Sequence, residues 1–309
     1  MAHILPDFLG IGMQKSGTTW LQAMLGQHPD IFLPQREINF FDRNYERLGI
    51  EGYASLFEET SSCLRVGEIT PAYLWSAQIN EHRYNIPEFR IDTPKRVQNM
   101  LGTNTQFIVM LRDPVQRAIS AYMHHIRKGR IKPDEDILEV GANYGIIDMG
   151  FYNAHLQHWL KYFDLKNFMI VSYEWMFEDT SRISKIFNFL DVDPTFVPEK
   201  MNNLYNPGIK YELRKDGVFM DKNRKKMKES GEWVKVIDRD QISKLRDIYS
   251  NDIEALQSHF AIDTKQWKLS SESQDWRQNL LLKKDELKRS HSKLQNIQNQ
   301  LTNIASNNN

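Results

Sequence analysis

The chain has 309 residues, 40% hydrophobic and 26% charged, the proportions of a globular chain with room for one large α/β domain or two small ones. Its 40 basic and 40 acidic residues leave a formal net charge of zero, so no global field marks a nucleic-acid binder, and an anion site must be a local cluster. Cys63 is the single cysteine, which excludes an intrachain disulfide and fits a reducing compartment.

In chain order, FLGIG at 8–12 reads as a short buried strand. Residues 17–26 read as a helix, with Trp20, Leu21, Met24 and Leu25 at helical spacing. Between them lies GMQKSGTTW. Gly12 and Gly17 have the glycine spacing of the nucleotide loop G-x-x-x-x-G-K-[ST], and Thr18 and Thr19 follow. No lysine follows Gly17; Lys15 lies inside the loop instead. An ATPase uses the missing lysine on the β- and γ-phosphates, so triphosphate binding is poorly supported. Backbone N–H groups and the hydroxyls of Ser16, Thr18 and Thr19 could hold one 5′-phosphate at the helix N-terminus. Lys15 would then face the group attached to it. A strand–helix turn that binds nothing gives the same spacing.

Residues 27–42, QHPDIFLPQREINFFD, are punctuated by Pro29 and Pro34. Residues 64–66 suggest a strand entering GEITPAYLW, and TQFIVML at 105–111 is the clearest buried strand. RDPVQRAISAY follows as a turn and a helix, with Pro114 near its first position. Arg112 at the strand end and Ser120 on the helix can hold a second phosphate by charge-assisted hydrogen bonds. An Arg112–Asp113 pair with Ser120 in solvent is the plain alternative. Residues 150–163 read as an amphipathic helix, 167–173 as a strand, and 180–190 as a helix ending at Asp191. Continuous apolar strands alternating with helices predict a parallel sheet flanked by helices on both faces. Ligands of such sheets lie beyond the carboxyl ends of the strands.

Residues 201–230 read as loop, including the basic run KNRKKMK at 222–228, and 240–260 as a helix. Leu280, Leu287, Leu294 and Leu301 are seven apart, with Ile297 and Ile304 at a second heptad position. They suggest a coiled-coil tail and a route to a homo-oligomer. The expected division is a domain over 1–268 and a helical tail over 269–309 whose end is disordered. Pro6 and Asp7 interrupt the first apolar stretch, and no window approaches the roughly 18 apolar residues of a membrane span. No membrane span, no nucleic-acid partner and a cytoplasmic location are therefore expected.

QKSGTTWLQAML and LRDPVQRAISAY, in that order, resemble the sulfotransferases that use 3′-phosphoadenosine 5′-phosphosulfate (PAPS). QHPDIFLPQREINFFD, GEITPAYL and GFYNAHLQHWLKYF with FMIVSYEWMFED are similar to segments of the glycan-type branch, which includes heparan sulfate sulfotransferases. The resemblance covers roughly residues 5–195. It implies a P-loop-like α/β fold, PAPS as donor, no required metal, and in-line transfer to a carbohydrate or a small-molecule alcohol or amine. It assigns Lys15, Ser16, Gly17, Thr18 and Thr19 to the 5′-phosphosulfate, and Arg112 and Ser120 to the 3′-phosphate. Lys15 becomes the cation at the leaving phosphate oxygen, and Glu37 the general base.

The chain departs from the pattern at Arg36, where family members often carry lysine. Neither 209–217 nor 222–228 cleanly matches the family's late basic loop over the 3′-phosphate. Another branch uses a histidine base, but His28 reads as structural beside the Glu37 match. His124, His125, Arg127, Lys128 and Arg130 read as a solvated helix end, with a role in holding an anionic or sugar acceptor as the lesser alternative; Tyr73 and Trp75 read as core aromatics, with stacking on a sugar or adenine as the lesser alternative. Two other readings stay open. One is a P-loop kinase or NTPase, which needs a lysine after Gly17 and a magnesium site. The other is a non-catalytic interaction protein working through its heptad tail.

Overall fold

The apolar runs become strands in the computed structural model, which describes residues 3–58, 63–79, 86–203, 205, 211–221 and 232–267. Strands β1 (Phe8–Gly12), β2 (Ile31–Phe32), β3 (Arg65–Ile69), β4 (Gln106–Leu111) and β5 (Phe168–Ser172) form one sheet in the order β2-β3-β1-β4-β5. Every neighbouring pair is parallel. All five residues of β1 are buried, because helices cover both faces and a central strand has no polar side.

One face packs Leu9, Ile11, Phe107 and Val109 against Val97 of the helix Thr93–Leu101 and against Leu156 and Trp159 of the helix Tyr152–Trp159. The other packs Phe8, Ile108 and Met110 against Leu21 and Met24 of the helix Thr18–Leu25 and against Ile186 and Phe187 of the helix Ile183–Phe189. The flanked parallel sheet predicted from the sequence is thus observed. Among the described residues no helix is long and apolar enough to cross a membrane.

The loop expected over 201–230 is corrected at 211–214 and 217–221. Strands β6 (Tyr211–Arg214), β7 (Gly217–Asp221) and β8 (Trp233–Asp238) form a separate antiparallel sheet. Val218, Met220, Val236 and Ile237 bury one side of it against Ile119 and Met123 of the helix Pro114–Arg127 and Leu245 of the helix Arg239–Phe260. That sheet forms by packing on helices distant in sequence. Its strands are short and charged, so the local pattern is weak. The run 222–228 and the heptads from Leu280 to Ile304 lie outside the described residues.

Helix starts follow local chemistry. Asp113 caps Pro114–Arg127: its carboxylate accepts from the N–H groups of Val115 at 2.8 Å and Gln116 at 3.2 Å, and Pro114 takes the first position. Asp113 is therefore a helix cap. Asp238 and Gln241 form a capping box on Arg239–Phe260.

Candidate active site

The central strand order puts the carboxyl ends of β1, β3 and β4 side by side, at the switch point where open α/β sheets take ligands. Beyond β1 the chain turns through Met13–Gly17 and enters the Thr18–Leu25 helix. Lys15 (φ 72°) and Gly17 (φ 89°) are both left-handed. Gly17 is required twice over: a Cβ there would lie 3.0 Å from both Phe177 and Tyr173. No side chain caps this helix start, so its first N–H groups face outward, as anion binding needs. Gly17→Ala should cost roughly 1–2 kcal/mol from the left-handed backbone alone. Thermal unfolding and bisphosphate titration of the variant check this, with losses expected in both.

A cleft of about 300 Å³ opens over the loop. Lys15, Gly17, Thr18, Thr19, Glu37, Arg112 and Ser120 all line it. The structure thus brings together the predicted site residues, with one exception. Ser16 is fully buried, and its hydroxyl has no hydrogen-bond partner among the described residues. Its backbone N–H donates to the Met13 carbonyl at 3.1 Å. Ser16 sits between the two left-handed residues and is not among the residues lining the cleft.

Arg112 directly follows β4 and is 2% exposed. Its guanidinium donates to Gln116 at 2.9 Å and lies 4.8 Å from the Tyr173 ring centroid. The turn carrying it is fixed from several sides. The Tyr152 hydroxyl donates to the Arg112 carbonyl at 2.8 Å. The Asp113 N–H donates to Glu174 at 3.1 Å, and the Trp267 indole N–H donates to the other oxygen of Glu174 at 2.9 Å. Burial pushes the Asp113 carboxyl up to about 7, against its cap hydrogen bonds and with the Glu174 charge adding. Ser120 sits in the second turn of the following helix, 5% exposed.

Glu37 reaches the cleft from the segment between β2 and the wide helical turn Phe40–Asn44. Its side chain stays open to solvent at the cleft edge. Partial loss of water still raises its carboxyl above the ordinary value; Arg43 opposes the rise and Asp42 adds to it. Arg36 is exposed and is not one of the cleft residues.

His124 and Lys128 also line the cleft, one and two turns beyond Ser120 on the same helix face. At these two positions the stretch is thus more than the solvated helix end of the default reading. Burial first, then the charge of Lys15, pushes His124 down to about 4, so it is neutral at pH 7. Trp20, Tyr173, Phe177, Asn203 and Tyr205 are among the other residues of the wall. Sequence reasoning missed them as site residues, although Tyr173 follows the carboxyl end of β5, where the sheet rule looks. Tyr73 is fully buried and Trp75 half-buried under Arg90, 4.4 Å from the indole ring. His28 is structural, as expected: buried, packed on Phe187 and Phe196, with its ring accepting from the Asp30 N–H at 3.2 Å.

A strand–glycine loop–helix at the switch point, faced by a buried arginine, is an arrangement of an α/β protein that suits phosphate groups. Residues 5–260 match the sulfotransferase domain family, and the chain belongs to it. It is 33% identical over 193 residues to human heparan sulfate glucosamine 3-O-sulfotransferase 6, covering 60% of this chain and 52% of that protein. It is 27% identical over 257 residues to human heparan sulfate glucosamine 3-O-sulfotransferase 3B1, covering 79% of this chain and 60% of the relative. The chain therefore spans between half and two thirds of the length of these curated relatives. Among solved structures, a sulfotransferase from Alicyclobacillus acidocaldarius shares the fold, with a TM-score of 0.61 and 21% identity over 85% of this chain and 99% of that one.

Proposed function

We propose that this chain transfers the sulfuryl group of PAPS to a hydroxyl or amine of a carbohydrate acceptor. The observation that carries the reading is the single cleft joining Lys15, Thr18, Thr19, Arg112, Ser120 and Glu37. Its groups fit a nucleotide with phosphates at both ends. The uncapped helix start and the Thr18 and Thr19 hydroxyls suit a 5′-phosphate. The buried Arg112 guanidinium, with Ser120, suits a 3′-phosphate. The donor supplies an activated sulfuryl group on a phosphate leaving group. Lys15 neutralises charge growing on the leaving oxygen. Glu37 accepts the acceptor's proton, a task helped by its raised affinity for one. The names of the curated relatives favour a heparan-type glycan as acceptor.

A kinase or NTPase reading has no lysine after Gly17 to serve a γ-phosphate. Calorimetry separates the two. Adenosine 3′,5′-bisphosphate should bind at least about tenfold more tightly than magnesium–ATP, a difference of about 1.4 kcal/mol. Tighter binding of ATP would overturn the donor assignment.

A further inference from the structure

The segment carrying Glu37 runs outside the sheet, so its backbone N–H groups need partners from elsewhere. Two side chains of the turn after β3 supply them. The Asn39 N–H donates to the Thr70 hydroxyl at 3.3 Å. The Phe40 and Phe41 N–H groups donate to the Tyr73 hydroxyl at 2.7 and 3.2 Å. Three consecutive peptide groups, starting two residues after Glu37, are thus held by two hydroxyls.

A phenol hydroxyl has one proton and two lone pairs. Both lone pairs of Tyr73 are taken by Phe40 and Phe41, so its proton must point elsewhere. It is donated to Glu68 Oε1 at 2.7 Å. Tyr53 donates to the same oxygen at 3.0 Å, and its ring stacks on Phe40 with centroids 4.0 Å apart. Glu68 lies on β3 and is 1% exposed. The rigid sheet therefore fixes the carboxyl, the carboxyl fixes the direction of the phenol, and the phenol fixes the backbone that leads to Glu37.

We propose that Tyr73, together with Thr70, is the positioning residue of the reaction, holding Glu37 at the cleft without touching substrate. The inference rests on the reading of Glu37 as the base. A displacement of about 1 Å at a reacting group can cost about a hundredfold in rate. Burial drives Glu68 up to about 7, and its bonds to Tyr73 and Tyr53 oppose that rise. Oε1 accepts from both phenols whether or not Glu68 is ionised, so the arrangement survives across neutral pH.

The test is steady-state kinetics of Tyr73→Phe and Thr70→Val, per folded molecule, beside Glu37→Gln. Both positioning variants keep the packing and remove the acceptors of the Asn39, Phe40 and Phe41 N–H groups, together with the hydroxyls' bonds to Glu68. The kcat of Tyr73→Phe should fall at least about tenfold, while bisphosphate affinity stays within about twofold. Thr70→Val should lose kcat in the same direction, and it carries the test if Tyr73→Phe does not fold. The acidic limb of the kcat–pH profile should move to lower pH, because a loosened Glu37 regains water and its raised pKa falls. A purely structural role would lower the melting temperature and leave kcat and the pH limb unchanged; that result overturns the proposal. If Glu37→Gln itself turns over normally, the base assignment fails, and the positioning proposal falls with it. An inactive Glu37→Gln beside fully active Tyr73→Phe and Thr70→Val removes only the positioning role.

Discussion

Lys15→Ala should cut sulfuryl transfer roughly a hundred- to a thousandfold in a protein that still folds. Lys15 lies on the cleft wall and is not part of the buried core, so truncation leaves the packing intact. Its charge already acts across the cleft, since it helps depress His124 and His125 on the facing helix. In the reaction that charge belongs at the oxygen that departs with the nucleotide. Removing one preorganised group that stabilises developing charge costs roughly a hundred- to a thousandfold in kcat. Labelled-donor transfer assays measure the loss directly. A second readout is independent of turnover: without the Lys15 charge, His124 should take up a proton at a higher pH, as its imidazole NMR titration would show. Wild-type kcat in the variant would remove Lys15 from the mechanism.

Glu37→Gln should be nearly as severe, with a different signature. The substitution keeps size and hydrogen-bonding capacity but cannot accept a proton. General base catalysis contributes roughly a hundred- to ten-thousandfold, and kcat should drop by that order. Bisphosphate binding should be unaffected, because the groups suited to the phosphates come from other elements. The pH dependence has a definite sign. The base works only when ionised, so wild-type kcat falls as pH is lowered through the Glu37 pKa, which stands above the ordinary glutamate value because of desolvation. The variant should show a low rate without that acidic limb.

The parts of this molecule that were legible in its sequence are those that local chemistry decides. FLGIG and the FIVML of β4 are apolar throughout because both faces of the sheet are covered, and that burial writes itself into composition. Gly17 is legible because no other residue fits its backbone and its neighbours. The failures are non-local. YELR and WVKVID mix charges with short apolar pairs, and only packing against helices from elsewhere in the chain makes them strands. Ser16 has the right chemistry for a phosphate, but it is fully buried, which its sequence position does not show. Asn203 and Tyr205 reach the cleft from a segment with no periodic pattern of its own. Asp113 was ambiguous as an isolated acid; the proline after it and the two amides it accepts make it a cap.

The hydrogen bond from Trp267 to Glu174, and from there to the Asp113 amide, reaches the turn that carries Arg112. The family match stops at residue 260, where the last described helix also stops. A fragment cut at that apparent boundary would keep every residue lining the cleft and yet discard the indole that steadies one wall. Support for this site thus comes from at least seven residues beyond the family match, at a side chain that is not among the cleft residues.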